Sequence, residues 1–572
     1  MKHLNVKMVS VLSLNLTTLL VVFVFSNILL SSMLFIAHVS VSPLQPILAT
    51  ILTVFFGVAL TRKRGWTQVA ITLVSTLFLI VASIYITSIT SDETIDTHGY
   101  HQTAVGAMRY GWNPVYENIG AFNDSGKSPI RLENTKYEKW GDHYPKAHWI
   151  FAANIYSVTN SVETGRSMAL LIILALFFLT LHYAMTRFGL GLSAILAFLV
   201  ALNPISVMQM FSYYNDGMSG NLLLIIILLL TMRLDRTYVL FGRVQYSLIV
   251  MSLIIFANLK FTGPVYAGFY CVAYLTYVLA NKRYRSKYTK PLLLSGATAV
   301  LFAVFVVGLS VYPKNVIEKG SPFYPLMGGS AEIDIITPNE PYVFHNMNIV
   351  NKFFVSNFSE TDNISEDTER NPKLKIPFTF SMQELTYLST VDPRMAGYGV
   401  WFGGILAISI SWLLYLVARL FYKRQWEYLY IIAIPLIPTA VIILILQESW
   451  WARYLPQLFL IPAIAVVSML LLKRKYLANM LLFAMLFNTI LTLNMQIAGQ
   501  KEGLAYRKSE EKIVDALLEN GKHMPKLYLG DYGGLAYRYY ERYGNVTILP
   551  KKLEGQDSDS FLKLAKGIIV YR

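Results

Sequence analysis

The stretch TQVAITLVSTLFLIVASIYITSIT (residues 67–90), followed by SDETIDTHGYHQ (residues 91–102), decides how this chain is read. The first part carries no charged side chain. At about 1.5 Å per helical residue it is long enough to cross the roughly 30 Å hydrocarbon core of a bilayer. The second part packs Asp92, Glu93, Asp96, His98 and His101 into ten residues. Acidic side chains are costly inside hydrocarbon and tolerated just outside it, so a cluster at that boundary marks a candidate site. Arg62-Lys63-Arg64 precedes the apolar run. Short basic loops favour the cytoplasmic side, so the acidic cluster is expected outside.

Working outward, the rest of the chain repeats this pattern. Of its 572 residues, 55% are hydrophobic and only 15% charged, with mean hydropathy +0.46. Soluble domains carry about 25% charged residues, so that class is excluded. The net charge of +15 sits largely in short loops between apolar runs, which argues for topology and against nucleic-acid binding. A single cysteine, Cys271, excludes a disulfide within the chain and a cysteine-based metal site. Lys2 and Lys7 precede a long apolar run without a small-residue cleavage pattern, so a retained first span is expected.

The fold predicted is an all-α polytopic membrane protein with about thirteen transmembrane helices. They fall at residues 8–35, 44–60, 67–90, 166–185, 189–202, 218–232, 244–259, 261–280, 291–311, 400–421, 428–446, 455–472 and 477–497. The basic ends Arg62–Arg64, Arg187, Arg233 with Arg236, Lys282–Arg285, Lys423 with Arg424, and Lys473–Lys475 then share one side, with the N-terminus cytoplasmic. Residues 148–159 are apolar but short and read as interfacial. Residues 1–66 form two leading helices, and 67–498 a transmembrane body with outer loops 91–147 and 312–396. The second loop has an acidic, Asn-rich middle at 359–370. Residues 499–572 read as a small extracytoplasmic α/β unit, with a helix over 509–520 and strands near 526–529, 546–549 and 567–571. Such a unit is too small to carry a large core alone and is expected to dock on the membrane part.

Several residues could carry chemistry. If helical, Asp92 and Asp96 are i and i+4 and share a face. A partly desolvated carboxylate near others has a raised pKa and suits a general base. The plainer alternative is a solvated loop with N-capping acids. His98, His101, His143 and His148 with Asp96 could hold a divalent ion, although His-x-x-His is a weak signal and hydrogen bonding explains the same residues. Lys260, Arg453 and Lys146 lie on the outer side, where positive charge is uncommon. They suit a phosphate, or they snorkel to headgroups. Trp112, Trp140, Trp149, Trp450 and Trp451 read mainly as an aromatic belt at the outer boundary.

Together these features resemble bacterial GT-C glycosyltransferases, multi-span membrane enzymes that use polyprenyl-phosphate sugars, and within them Gram-positive membrane proteins of that class. The strings that carry the likeness are Asp92-Glu93-Thr94-Ile95-Asp96 running into Gly99-Tyr100-His101-Gln102, then Gly111-Trp112-Asn113-Pro114 and His143-Tyr144-Pro145-Lys146. Tyr214-Asn215-Asp216-Gly217, Lys260-Phe261-Thr262-Gly263 and Trp450-Trp451-Ala452-Arg453-Tyr454 complete it. The likeness covers residues 67–472; each string is short, and their order and shared outer location carry the signal. The acidic loop follows the third span here, where the class normally has it after the first. A larger C-terminal soluble domain is reduced to residues 499–572.

The resemblance implies a multi-pass protein of a bacterial plasma membrane, with active site and C-terminus extracytoplasmic. It implies an inverting sugar transfer from a polyprenyl-phosphate donor to a cell-envelope glycan or lipid acceptor. Asp96 is the preferred base, with Asp92 and Glu93 beside it. Lys260, Arg453 and Lys146 would take the donor phosphate. Tyr100, His101, His143, Tyr144, Asn215, Asp216 and Trp450 would contact substrate. Membrane lipids are partners and nucleic acid is not. No cofactor follows with certainty, and a divalent metal is admissible. The rival classes are a transporter or flippase of lipid-linked saccharides, a polymerase or ligase of them, and a non-catalytic assembly partner. A transporter predicts ionisable groups or broken helices near mid-membrane.

Overall fold

The structure is a computed structural model. It describes residues 2–130, 138–235, 242–327, 332–334, 337–363, 370–520, 526–544, 547–549, 552, 561–563 and 568–571. Arg236, residues 364–369 of the acidic stretch, Val546, and Gly567 lie outside the described residues.

Apolar segments become helices because hydrocarbon offers no partner to an unpaired backbone N–H or C=O. In chain order the helices that matter are α1 (Lys2–Ile36), α2 (Leu44–Thr61), α3 (Trp66–Ser88), α4 (Gln102–Arg109), α5 (Ala147–Thr159) and α6 (Ser167–Ala184). They continue with α7 (Leu190–Ala201), α8 (Asp216–Leu234), α9 (Arg243–Ala257), α10 (Thr262–Ala280) and α11 (Lys282–Phe302). The last are α12 (Phe402–Tyr422), α13 (Trp426–Ile445), α14 (Leu460–Leu471), α15 (Lys475–Asn520) and α16 (Leu535–Tyr543). Among the described residues, ten helices are long and apolar enough to cross a membrane. Three of the thirteen expected spans are shorter apolar helices: α7, α9 and the segment Pro456–Leu471 that contains α14.

One expectation is corrected at α5. Residues 148–159 are not interfacial: 147–157 are all buried, between α1, α4 and the turn Val162–Arg166. The helix is short because protein, not lipid, surrounds it. Ala152 and Ala153 let its neighbours come close. Asn154 Nδ2 donates to Asn27 O at 3.0 Å and to Ser31 Oγ at 2.8 Å, joining α5 to α1 through a buried polar contact.

The aromatic-belt reading is corrected too. Trp112, Trp149, Trp450 and Trp451 are at most 2% exposed. The long loops 91–147 and 312–396 fold over them, and three find indole partners inside: Glu117 O for Trp112 (2.9 Å), His101 Nδ1 for Trp149 (2.7 Å) and Asp392 Oδ1 for Trp451 (2.8 Å).

The C-terminal part differs in its entry. The expected last span and the helix over 509–520 are one helix, α15, of 46 residues. At about 1.5 Å per residue it is about 69 Å long, far beyond a bilayer core. It leads into a four-stranded sheet of β1 (Lys526–Tyr528), β2 (Thr547–Ile548), β3 (Phe561–Lys563) and β4 (Ile569–Tyr571), in the order β2-β1-β4-β3. The β1–β2 pair is parallel and the other two antiparallel. Leu527, Leu529, Leu535, Tyr537 and Val570 form its core, completed by Val514 of α15 and Ile130 of the first outer loop.

Candidate functional site

The acidic segment is irregular over 91–94 and helical only from Ile95, so Asp92 and Asp96 do not share a helical face. The reason is local. Asp92 Oδ1 accepts from the Thr94 backbone N–H (3.1 Å) and hydroxyl (2.8 Å), turning the chain before the helix starts. Its Oδ2 accepts from Thr97 Oγ1 (2.5 Å) and from Tyr213 N–H (2.9 Å). Both oxygens of this buried carboxylate are thus engaged in holding the loop. Glu93 takes a different partner, accepting from Ser91 Oγ (2.5 Å) and from Arg538 Nη1 (3.1 Å) of α16. Asp96 stands at the start of a π-helical turn, Thr97–His101, that runs into α4.

Asp96 lies beside a recess to which four separate parts of the chain contribute. Tyr214, which hydrogen-bonds the Asp96 carboxyl, comes with Asn215 from the loop before α8. Asp216 opens α8 itself. Lys260 comes from the turn between α9 and α10, and Arg453 and Tyr454 from the turn before Pro456. Asp392 comes from the second outer loop. Lys260 Nζ pairs with Asp216 Oδ1 and lies 3.9 Å from the centre of the Tyr454 ring. Arg453 Nη1 pairs with Asp392 Oδ2 at 3.2 Å, and its guanidinium lies 4.3 Å from the Trp451 ring and 5.5 Å from the Tyr214 ring. The Arg453 Nε–H is buried without a protein partner. Asn215 donates to Leu259 O at 2.7 Å and hydrogen-bonds Tyr144. Below Lys260 and Arg453 a small cavity of about 10 Å³, room for about one water, lies between Gly220, Phe256 and Tyr266.

The electrostatics follow from enclosing three carboxylates with two cations. Burial raises the Asp96 carboxyl above the usual aspartate range; Arg453 and the Tyr214 hydrogen bond oppose this, while Asp216 and Asp92 add to it. Asp392 is raised in the same way, by burial first, against the pull of Arg453. Burial also disfavours charge on Arg453, yet Asp392, Tyr454 and Asp216 hold its guanidinium firmly protonated. Asp216 pairs directly with Lys260 and Asp392 with Arg453, whereas Asp96 is hydrogen-bonded by the Tyr214 side chain, which leaves it the carboxylate best placed to exchange a proton.

The structure therefore brings together Asp96, Tyr100, Tyr144, Asn215, Asp216, Lys260 and Arg453. Tyr100 stacks on Trp140 at 5.5 Å beside Asp96. Others lie elsewhere. Lys146 is buried and donates to the carbonyls of Asp142 (2.8 Å) and Tyr144 (2.9 Å); burial holds its ammonium well below the usual lysine range. His143 Nδ1 pairs with Asn315 at 2.7 Å, tying the first outer loop to the second. His101 accepts from Trp149, and burial drives its imidazole well below the usual range; burial takes His148 to about 3. Trp450 stacks on Trp451 at 5.5 Å inside an apolar cluster with Phe344 and Met395. Among the described residues, no group of three or more His, Cys, Asp or Glu side chains is arranged to hold a metal ion. His98, His101 and His143 bond Gln102, Trp149 and Asn315 through Nδ1, whereas both ring nitrogens of His148 are buried without a hydrogen-bond partner.

Sequence reasoning quoted Tyr214 and Tyr454 within its motif strings without giving either a role, and it missed Asp392. Asp392 stands alone in a long outer loop and lies in none of those strings.

Comparison with protein-family models, curated proteins and solved structures finds no match for this chain.

Proposed function

We propose that this chain is an inverting, GT-C-like membrane glycosyltransferase that moves a sugar from a polyprenyl-phosphate donor to an extracytoplasmic acceptor, an envelope glycan or lipid. The observation that carries the reading is Asp96, a buried carboxyl that Tyr214 hydrogen-bonds and the Arg453 charge reaches, beside the Lys260–Asp216 pair. Counting the three shorter helices gives thirteen spans, with the N-terminus cytoplasmic and the recess and C-terminus outside, in a bacterial plasma membrane.

In this reading Asp96 takes the proton of the acceptor hydroxyl. The oxygen attacks the anomeric carbon from the face opposite the phosphate, the carbon–oxygen bond to phosphate breaks, and polyprenyl phosphate leaves with the electron pair. Phosphate is already a competent leaving group, so no matching acid is needed. Arg453 and Lys260 would share the leaving charge with the carboxylates that now hold them, and the unpartnered Arg453 Nε–H is a ready donor for a phosphate oxygen.

An apolar groove supports the lipid part. It holds about 690 Å³ between α10 and α11, lined by Pro264, Gly268, Cys271, Gly296 and Ala303, and by Phe323. Phe323 meets Phe261 edge-on at 5.8 Å, and Phe261 follows Lys260 in the chain. A prenyl chain lying there would deliver its phosphate to Lys260. The transporter reading is less well supported, because the recess charges sit at helix ends and turns, with Asp216 at the first residue of α8. A polymerase or ligase of lipid-linked glycans would use the same recess on larger substrates.

The test compares envelope glycans by mass spectrometry in cells with the wild-type chain, without it, and with Asp96→Asn. The product should be lost without the chain and fall about 10²- to 10⁴-fold with a normally inserted Asp96→Asn. Wild-type product from that variant refutes the base; unchanged glycans without the chain refute the activity.

A further inference from the structure

The C-terminal helix α16 reaches across the molecule to the segment that carries Asp96. Arg538 is 7% exposed. Its Nε donates to Glu163 Oε1 at 2.8 Å, its Nη1 to Glu93 Oε1 at 3.1 Å and its Nη2 to the Asp92 carbonyl at 3.3 Å. A planar guanidinium with fixed donors sets the relative position of three acceptors in a way an ammonium does not. Four residues earlier, Gly534 N–H donates to the His98 carbonyl of the π-helical turn at 2.6 Å. A Cβ at Gly534 would stand 2.6 Å from that carbonyl oxygen, so the contact requires glycine. One turn on, Tyr537 lies flat against Tyr110 at 5.8 Å and fills the space beside Gly106 of α4. Residues 92, 93, 98, 106 and 110 are thus gripped by one face of α16, and Asp96 lies between the first grips.

We infer that Arg538 is a positioning residue: α16 clamps the Asp92–His101 segment from outside and thereby sets where the Asp96 carboxylate stands in the recess. The inner anchor of the segment is Asp92, bonded to Tyr213. With Arg538 removed, Glu163 keeps Arg166 at 2.8 Å, but Glu93 loses the guanidinium that draws it and the Asp92 carbonyl outward. The segment then swings on its inner anchor and Asp96 gains water. The inference rests on Asp96 being the base of the proposed transfer, but its test does not need the transfer.

The full-length protein in lipid nanodiscs is treated with dicyclohexylcarbodiimide, which labels protonated carboxyls in apolar surroundings. Labelling of Asp96 is read by peptide mass spectrometry near neutral pH, with Asp392 as internal reference. Arg538→Gln is expected to lower Asp96 labelling about threefold, equivalent to about half a pH unit in its protonation. Glu93→Gln cuts the same link from the membrane side and should lower it similarly, which keeps the test open if Arg538→Gln fails to fold. Arg542→Gln removes contacts of α16 with Glu511 and Asp515 at 2.8 Å and should leave Asp96 labelling unchanged. Unchanged labelling in both Arg538→Gln and Glu93→Gln overturns the inference, and so does an equal fall in Arg542→Gln. Loss of transfer in Arg538→Gln with the labelling change supports both readings. The labelling change alone, with Asp96→Asn fully active, keeps the clamp and discards the base.

Discussion

Glu541, on the same face of α16, offers a prediction whose size can be worked out. Its Oε1 accepts from Val162 N–H at 3.0 Å, and Tyr156 hydrogen-bonds the same carboxyl. Burial, only partly opposed by these bonds and by Arg538, lifts the carboxyl from 4.5 to about 7, and Glu163 adds to the rise. A carboxyl raised on docking favours the docked state fully below its free value and loses that contribution as pH climbs through its docked value. The shift of about 2.5 units corresponds to about 3 kcal/mol, and screening at a partly exposed side chain reduces it to about 2 kcal/mol. Glu541→Gln keeps the accepting oxygen and removes the charge. Its α16 should therefore lack the pH-dependent weakening, so that between pH 4 and pH 8 wild type loses about 2 kcal/mol, about thirtyfold in the opening equilibrium, that the variant keeps. Amide exchange of residues 526–528 and 535–543 in nanodiscs, corrected for intrinsic rates, measures this. A wild-type opening equilibrium independent of pH, or an equal slope in the variant, refutes the reasoning.

Three further outcomes are expected. Lys260→Met leaves Asp216 buried without its cation and should cost about 3–5 kcal/mol in thermal unfolding, largely recovered by adding Asp216→Asn. Transfer by the wild type should fall on the acid side along a limb above the ordinary aspartate range, because Asp96 must shed its proton to act; Arg453→Gln, which removes a cation that favours the ionised form, should move that limb to higher pH in residual activity measured against pH. Gly220→Val puts a Cβ 2.6 Å from Pro456 Cβ at the wall of the recess, and should destabilise by about 1–3 kcal/mol in thermal melts and reduce retention of a radiolabelled prenyl phosphate.

The long apolar helices were legible because a bilayer imposes its demand on every residue of a span: enough consecutive apolar side chains, and no unpaired backbone. That demand is local and shows in composition. The same logic misread α5, where the sequence is apolar and short. Nothing in residues 148–159 says that neighbouring helices, and not lipid, would cover them. It also misread the tryptophans, since a buried and an interfacial tryptophan are equally apolar in a sequence; only the long loops folding over Trp149 and Trp451 make the difference.

For the site, the sequence showed which ionisable groups stand at the ends of apolar runs, and Asp96, Asp216, Lys260 and Arg453 were singled out for that reason. The resemblance preferred Asp96 over Asp92, but the residues themselves, four apart and chemically identical, did not separate the two. The tertiary structure did so by giving Asp92 four hydrogen-bond donors, from Thr94, Thr97 and the Tyr213 backbone, and by turning Asp96 toward Arg453. The grip of Arg538 on Glu93, across 445 residues of chain, likewise exists only in three dimensions. Helix propensity and hydropathy act over a few turns and are written locally, whereas the proton affinity of one carboxylate depends on which distant charges and how much protein the fold brings around it.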